Sequence, residues 1–188
     1  MALYISTIKR VNMTDKGSGN LGASNALMLM GWKAGVLVGI HDIGKAWLAA
    51  GLAAWLCPEL MYAGAAAGAA CVLGHIFPFY LKFKGGKGFA SYIGMTLGLN
   101  WKVGLIVALA VVLLMVITNY IVVATASTVI GVPVCMGLLL WNLWVPLILC
   151  VPTAVILYKH RENFVRIRNG TEFKVMGALK GEHRVDKK

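Results

Sequence analysis

The sequence predicts an all-α, polytopic membrane protein with about six membrane segments, one of them a half-helix. Three observations predict it. Of 188 residues, 59% are apolar and 13% charged; soluble domains run near roughly 45–50% apolar and about 25% charged. A chain of mean hydropathy +0.76 cannot cover its surface with polar groups, so lipid is its expected solvent. The apolar residues fall in runs of helical length, and the cations gather at alternate breaks between those runs. These observations exclude a soluble globular domain, a disordered chain and a nucleic-acid-binding domain of the usual polar kind.

The whole chain, 1–188, is expected to form one membrane domain. Residues 1–33 form an interfacial segment with the first motif, 34–158 the membrane segments, and 159–188 a basic C-terminal segment. Met1–Ile8 is too short to span, since a crossing helix needs about 20 residues. Its charges follow the apolar stretch, which argues against a signal peptide. Ala34–Leu56 is apolar apart from His41, Asp42 and Lys45. Cys57-Pro58-Glu59 turns the chain into a second run, Leu60–Leu81, whose Ala- and Gly-rich start admits a close helical neighbour. Gly88–Leu99 is the half-helix, and Val103–Ile117, Ile121–Leu140 and Leu143–Tyr158 complete the set. Cys57, Cys71, Cys135 and Cys150 are scattered without a CxxC pair, and read as small packing residues. No metal and no cofactor is expected.

Orientation follows from the charges. Lys9, Arg10, Lys16 and Lys33 precede the first span, Lys82, Lys84 and Lys87 follow the second, and nine cations from Lys159 to Lys188 follow the last. Even numbers of crossings separate the clusters, so all three share one face, which the positive-inside rule makes cytoplasmic. Trp55, Trp101, Trp141 and Trp144 fall at the opposite helix ends, where an aromatic belt belongs. The excess of 18 Lys and Arg over 7 Asp and Glu also suits anionic lipid or an anionic substrate.

Three polar motifs lie on that basic face. Gly17–Asn25 offers side-chain donors at Ser18, Asn20, Ser24 and Asn25, with Gly22 permitting close backbone approach. Such a loop is either an anion nest ahead of a helix or a plain N-cap with a flexible leader. Gly74–Gly88 holds His75, Lys82, Gly85, Gly86 and Lys87. It reads as a phosphate cradle of exposed N–H groups, or as a positive-inside turn with His75 anchoring a helix end. In the third motif, His160–Glu172, His160 and Asn163 share a helix face beside Arg161; a lipid-binding juxtamembrane segment is the alternative. Together the motifs predict an interfacial pocket for a phosphate-bearing molecule. Asp42 and Lys45 either pair at i, i+3, the favoured reading, or reach into that pocket. His41 and His183 carry no assignment.

At these motifs the sequence resembles the bacterial acyl-phosphate-dependent glycerol-3-phosphate acyltransferases, the PlsY family. GSGNLGASN, GHIFPFYLKFKGGKG through Ser91, and HRENFVRIRNGTE are similar to its three signature regions, in order, over about Asp15 to Lys174. Asp42 and Lys45 resemble its DxxKG stretch, with Ala46 at the last position. The resemblance implies a multi-pass enzyme of the bacterial plasma membrane with its motifs facing the cytoplasm. It would transfer a fatty acyl group from acyl phosphate to the primary hydroxyl of glycerol 3-phosphate, releasing lysophosphatidate and phosphate. It implies catalytic roles for Lys87, His160 and Asn163. Ser18, Asn20, Gly22, Ser24, Asn25, Lys33, His75, Lys82, Gly85, Gly86 and Arg161 would bind substrate. The base is either the donor's phosphate or a neutral His160.

This chain departs from the family in three places. The usual first membrane helix is absent or reduced to Met1–Ile8; Met28 stands where an arginine is common; and Asn119–Thr125 replaces an Arg-Tyr-Val-Ser-Leu-Ala-Ser stretch, with Val122 for a hydroxyl. Either another cation such as Lys33 substitutes, or the acceptor or donor has changed. A non-catalytic anion-binding protein is a further alternative. A carrier is disfavoured, because the far face has almost no cations and no internal repeat is visible.

Overall fold

The computed structural model describes residues 1–140, 142–172 and 174–179, in which α-helices are joined by turns and by two longer loops, 9–22 and 77–88. In order they are α1 (Ala2–Ile8), α2 (Ala23–Met30), α3 (Trp32–Leu56), α4 (Ala63–Ile76), α5 (Phe89–Leu99), α6 (Trp101–Thr118), α7 (Ile121–Leu140), α8 (Trp144–Arg168) and α9 (Val175–Leu179). No strand occurs among the described residues. The expectations placed on Trp141, Lys180, His183, Arg184, Lys187 and Lys188 lie outside the described residues.

Four segments are long and apolar enough to cross a membrane: Trp32–Leu56, Ala63–Leu81, Trp101–Thr118 and Ile121–Leu140. The second is not one continuous helix. Proline 78 has no N–H to donate and crowds the residue before it, so α4 ends at Ile76 with Phe77 at φ −122° and ψ 58°. A single 3-10 turn, Phe79–Leu81, follows. The expected half-helix is α5, whose 11 residues rise only about 16 Å. Its six central residues, Ser91 to Thr96, are all buried, because α3, α4 and α6 surround it.

α3 and α5 approach closely at Gly94, where any Cβ would collide with the carbonyl oxygen of Ile43. Ala46 and Ala50 of α3, Met95 of α5 and Ala65, Ala69 and Val72 of α4 share one core, which Val129, Met136, Leu149 and Ile156 extend through α7 and α8. The outer faces are apolar and exposed, as lipid requires: Leu105, Ile106, Leu109, Leu113 and Ile117 line one side of α6. Trp55, Trp101 and Trp144 are exposed as well, at the end of α3 and the starts of α6 and α8.

Two features position the functional groups. α8 does not stop at Tyr158 but continues unbroken to Arg168, so the third motif rides on a helix already anchored in the core. The N-terminal segment is not loose either. α1 and α2 pack on the start of α3 through Ala2, Met13, Leu21, Ala26 and Val38, which fixes the first motif between them.

Candidate active site

The first motif is held from inside. Asn25, wholly buried, uses its amide Nδ2 to donate to the carbonyls of Met13 (3.0 Å), Asn20 (2.9 Å) and Lys16 (3.3 Å). Its Oδ1 accepts from the Ser18 backbone N–H at 3.0 Å. One side chain therefore winds residues 13–20 around the start of α2, and Ser18, Asn20 and Ser24 face a cavity of about 450 Å³.

Lys87 to Phe89 form a second wall of that cavity, and His160, Asn163 and Arg166 of α8 form a third. Ile121 and Thr125 close it from α7, while Asp42 and His75 line its inner end. Asp42 stands ten residues into α3, about 15 Å along the axis, so the cavity reaches within a membrane-length helix.

The polar groups form one chain. The Lys87 ammonium donates to Asn163 Oδ1. Asn163 Nδ2 donates to Glu172 Oε1 at 2.6 Å, and Arg166 Nε donates to Glu172 Oε2 at 2.7 Å. Glu172 thus fixes the amide's orientation, with its oxygen toward the lysine. His160 Nδ1 lies 2.8 Å from the Ile156 carbonyl, which can only accept; Nδ1 therefore carries the proton, leaving the Nε2 lone pair free. Burial, reinforced by Lys87 and Arg166 and opposed by the Ile156 hydrogen bond, lowers the His160 pKa from 6.5 to about 4. The ring is neutral at pH 7. Burial, with Arg166 nearby, also lowers the Lys87 pKa from its usual value, while Glu172 acts the other way.

A smaller cavity, about 250 Å³, adjoins the first and shares Asp42 and His75 with it. Lys45 lies between them, 2.7 Å from both Asp42 Oδ1 and His75 Nδ1. Among the described residues no cluster of three or more His, Cys, Asp or Glu could hold a metal ion.

Residues 1–170 match the glycerol-3-phosphate acyltransferase family. The chain belongs to that family. The glycerol-3-phosphate acyltransferase of Lactiplantibacillus plantarum is 35% identical over 167 residues, covering 86% of this chain and 77% of the relative. That of Coxiella burnetii is 37% identical over 162 residues, covering 85% and 81%. The fold superposes with a TM-score of 0.89 on the glycerol 3-phosphate form of PlsY (YgiH), a crystal structure of an integral membrane glycerol 3-phosphate acyltransferase. That pair is 30% identical, over 96% of this chain and 90% of the other. The lysophosphatidic acid form of PlsY superposes at 0.85, over 96% and 91%.

In this acyltransferase, Ser18, Asn20, Gly22, Ser24, His75, Lys87, His160 and Asn163 all line the larger cavity. Gly85 and Gly86 line the smaller one. Asn25 reaches neither, because its buried amide is turned into the loop, which it holds by four hydrogen bonds. Three further expected residues stand outside both. Lys33 is exposed with its ammonium 5.9 Å from the Trp32 ring, so it does not replace the cation absent at Met28, which itself faces the larger cavity. Lys82 is exposed in a left-handed turn (φ 51°). Arg161 lies over the Tyr158 ring at 4.0 Å and donates to the Tyr158 carbonyl at 3.0 Å.

The second cavity cation is instead Arg166. Its spacing could have found it, since it follows Asn163 by three residues as Asn163 follows His160. Glu172 had no such cue, because it reaches Asn163 only after the chain turns back beyond α8. Asp42 and Lys45 do pair at i, i+3, and Asp42 also lines the cavity.

Proposed function

We propose that this acyltransferase carries an acyl group from an acyl phosphate to the primary hydroxyl of glycerol 3-phosphate, at the cytoplasmic face of a bacterial plasma membrane. The observation that carries the reading is the meeting of Lys87, His160, Asn163 and Arg166 with the Ser18–Ser24 loop around one cavity. The three basic clusters on one side of the spans support the orientation.

An acyl phosphate is a mixed anhydride, already activated toward attack. The acceptor's primary hydroxyl oxygen bonds to the acyl carbon, the acyl C–O(phosphate) bond breaks, and phosphate departs with the electron pair. The hydroxyl proton passes to the departing phosphate or to His160 Nε2, which has a free lone pair at neutral pH. Lys87 and Arg166 offset the repulsion between two phosphate groups brought together, and position the acceptor. The Ser18–Ser24 loop holds the donor's phosphate, and its acyl chain lies among the membrane helices and surrounding lipid.

Purified protein in detergent should release phosphate and form lysophosphatidate from palmitoyl phosphate and glycerol 3-phosphate. Lys87→Ala should lower kcat/KM about ten- to a hundredfold, as expected for losing charge-assisted hydrogen bonds of roughly 1.5–3 kcal/mol. Turnover with acyl-CoA but not palmitoyl phosphate overturns the donor; unaltered Lys87→Ala kinetics remove the lysine from the site. A second reading, a different polyol phosphate as acceptor, is favoured by Met28 on the cavity wall. Higher kcat/KM with another polyol phosphate than with glycerol 3-phosphate would select it.

A further inference from the structure

We propose that Asp42 and Lys45 are positioning residues for Lys87, acting through His75 and the Gly85–Gly86 backbone. The inference rests on the assignment of Lys87 to the acceptor's phosphate.

Charges within a membrane-length helix are costly and call for a compensating arrangement. Neutralisation alone would need only the pair: Asp42, 4% exposed, accepts from the Lys45 ammonium at 2.7 Å. Lys45 goes further. Its Nζ also meets His75 Nδ1 at 2.7 Å, which ties the middle of α3 to the last turn of α4. An ammonium can only donate, so Nδ1 is the acceptor and a neutral His75 carries its proton on Nε2. Lys45 therefore sets both the tautomer and the plane of the ring. Asp42 Oδ1 lies 3.5 Å from the same Nδ1, so carboxylate, ammonium and ring meet at one point.

The far edge of that ring abuts the glycine loop. A Cβ on Gly86 would fall upon His75 Nε2, so only glycine lets the loop lie there. Backbone bonds complete the attachment: the Gly86 N–H donates to the His75 carbonyl and the Gly85 N–H to the Ile76 carbonyl, each at 3.1 Å. Lys87 is the next residue, and its ammonium reaches Asn163 across the cavity. A continuous series of contacts thus runs from a buried ion pair on α3 to the ammonium at the site. Freeing the ring would let it press on Gly86 and displace Lys87, and a displacement near one ångström can cost about a hundredfold in rate.

The experiment is a double-mutant cycle on the full chain in detergent, with palmitoyl phosphate and glycerol 3-phosphate as substrates. Lys45→Met should raise KM for glycerol 3-phosphate about tenfold and leave KM for palmitoyl phosphate within about twofold. Combined with Lys87→Ala it should add less than about twofold to the loss from Lys87→Ala alone, because it acts through that lysine. Gly86→Ala, which keeps both charges and disturbs the same contact from the other side, should share the KM signature. If Lys45→Met does not fold, Gly86→Ala and the charge-free Asp42→Asn/Lys45→Met variant carry the same cycle. Losses that multiply, or that fall on kcat and both KM values alike, overturn the positioning role while leaving the proposed function intact. A Lys87→Ala variant with normal kinetics overturns both.

Discussion

His160 shows how one buried contact sets a chemical role. Its Nδ1 is committed to the Ile156 carbonyl and its pKa is held near 4, so the unfolded chain takes up a proton near 6.5 that the folded site refuses. Stability is therefore intact above pH 6.5 and lost as pH falls toward 4, by up to about 3 kcal/mol at roughly 1.4 kcal/mol per pH unit. Melting of the detergent-solubilised protein should show this fall, and His160→Gln should lessen it; an equal fall in the variant would assign the effect to other groups. Asn25 is the counterpart for the first motif. Asn25→Ala orphans the Met13 and Asn20 carbonyls and the Ser18 N–H, each costing about 1–3 kcal/mol if left dry, while the Lys16 carbonyl keeps the Gly19 N–H. It should lower the melting temperature and raise KM for the acyl phosphate, measured by phosphate release. The sequence marked Asn25 as a donor in a polar loop but could not tell whether it faced a ligand or the loop itself. Side-chain direction separates those outcomes, and only the fold supplies it.

Among the elements, α5 depends most on packing. Eleven residues are too few to cross the membrane, and its burial between α3, α4 and α6 stands in for length. Gly94→Val would drive its Cβ into the Ile43 carbonyl and add two methyl groups to the seam between α3 and α5, an overpacking that exceeds the usual penalty of about 1–3 kcal/mol for extra methylenes. It should abolish recovery of folded protein on size-exclusion chromatography. Gly131→Ala in α7, where nothing lies within 4 Å, should leave that profile unchanged. The half-helix was legible as a short apolar run bounded by glycine and asparagine. The break at Pro78 was equally present in the residues, yet the unbroken hydropathy of Leu60–Leu81 concealed it. At α8 the apolar run ends at Tyr158 while the helix continues to Arg168, in keeping with the helix face that His160 and Asn163 share.

For the molecule as a whole, topology is the property that tests the site. A single cysteine at Lys84 should react with an impermeant thiol reagent in inverted vesicles, and one at Glu59 in right-side-out vesicles, both in a cysteine-free background. Labelling of position 84 in right-side-out vesicles would separate that motif from the cytoplasmic face and remove the proposed pocket's supply of cytoplasmic substrate. By itself the sequence determined which stretches prefer lipid, which face is basic, and the chemical inventory of the three motifs. Those properties belong to each residue's partition between water and hydrocarbon, and they add along the chain. The tertiary structure alone decided that Lys33, Lys82 and Arg161 stand outside the cavity, that Glu172 orients Asn163, and that Asp42 and Lys45 tie α3 to α4 through His75. A side chain reaches only a few ångströms, so its partner is chosen by how the helices rotate and approach one another. That choice rests on packing across many distant residues at once, and no local stretch of sequence contains it.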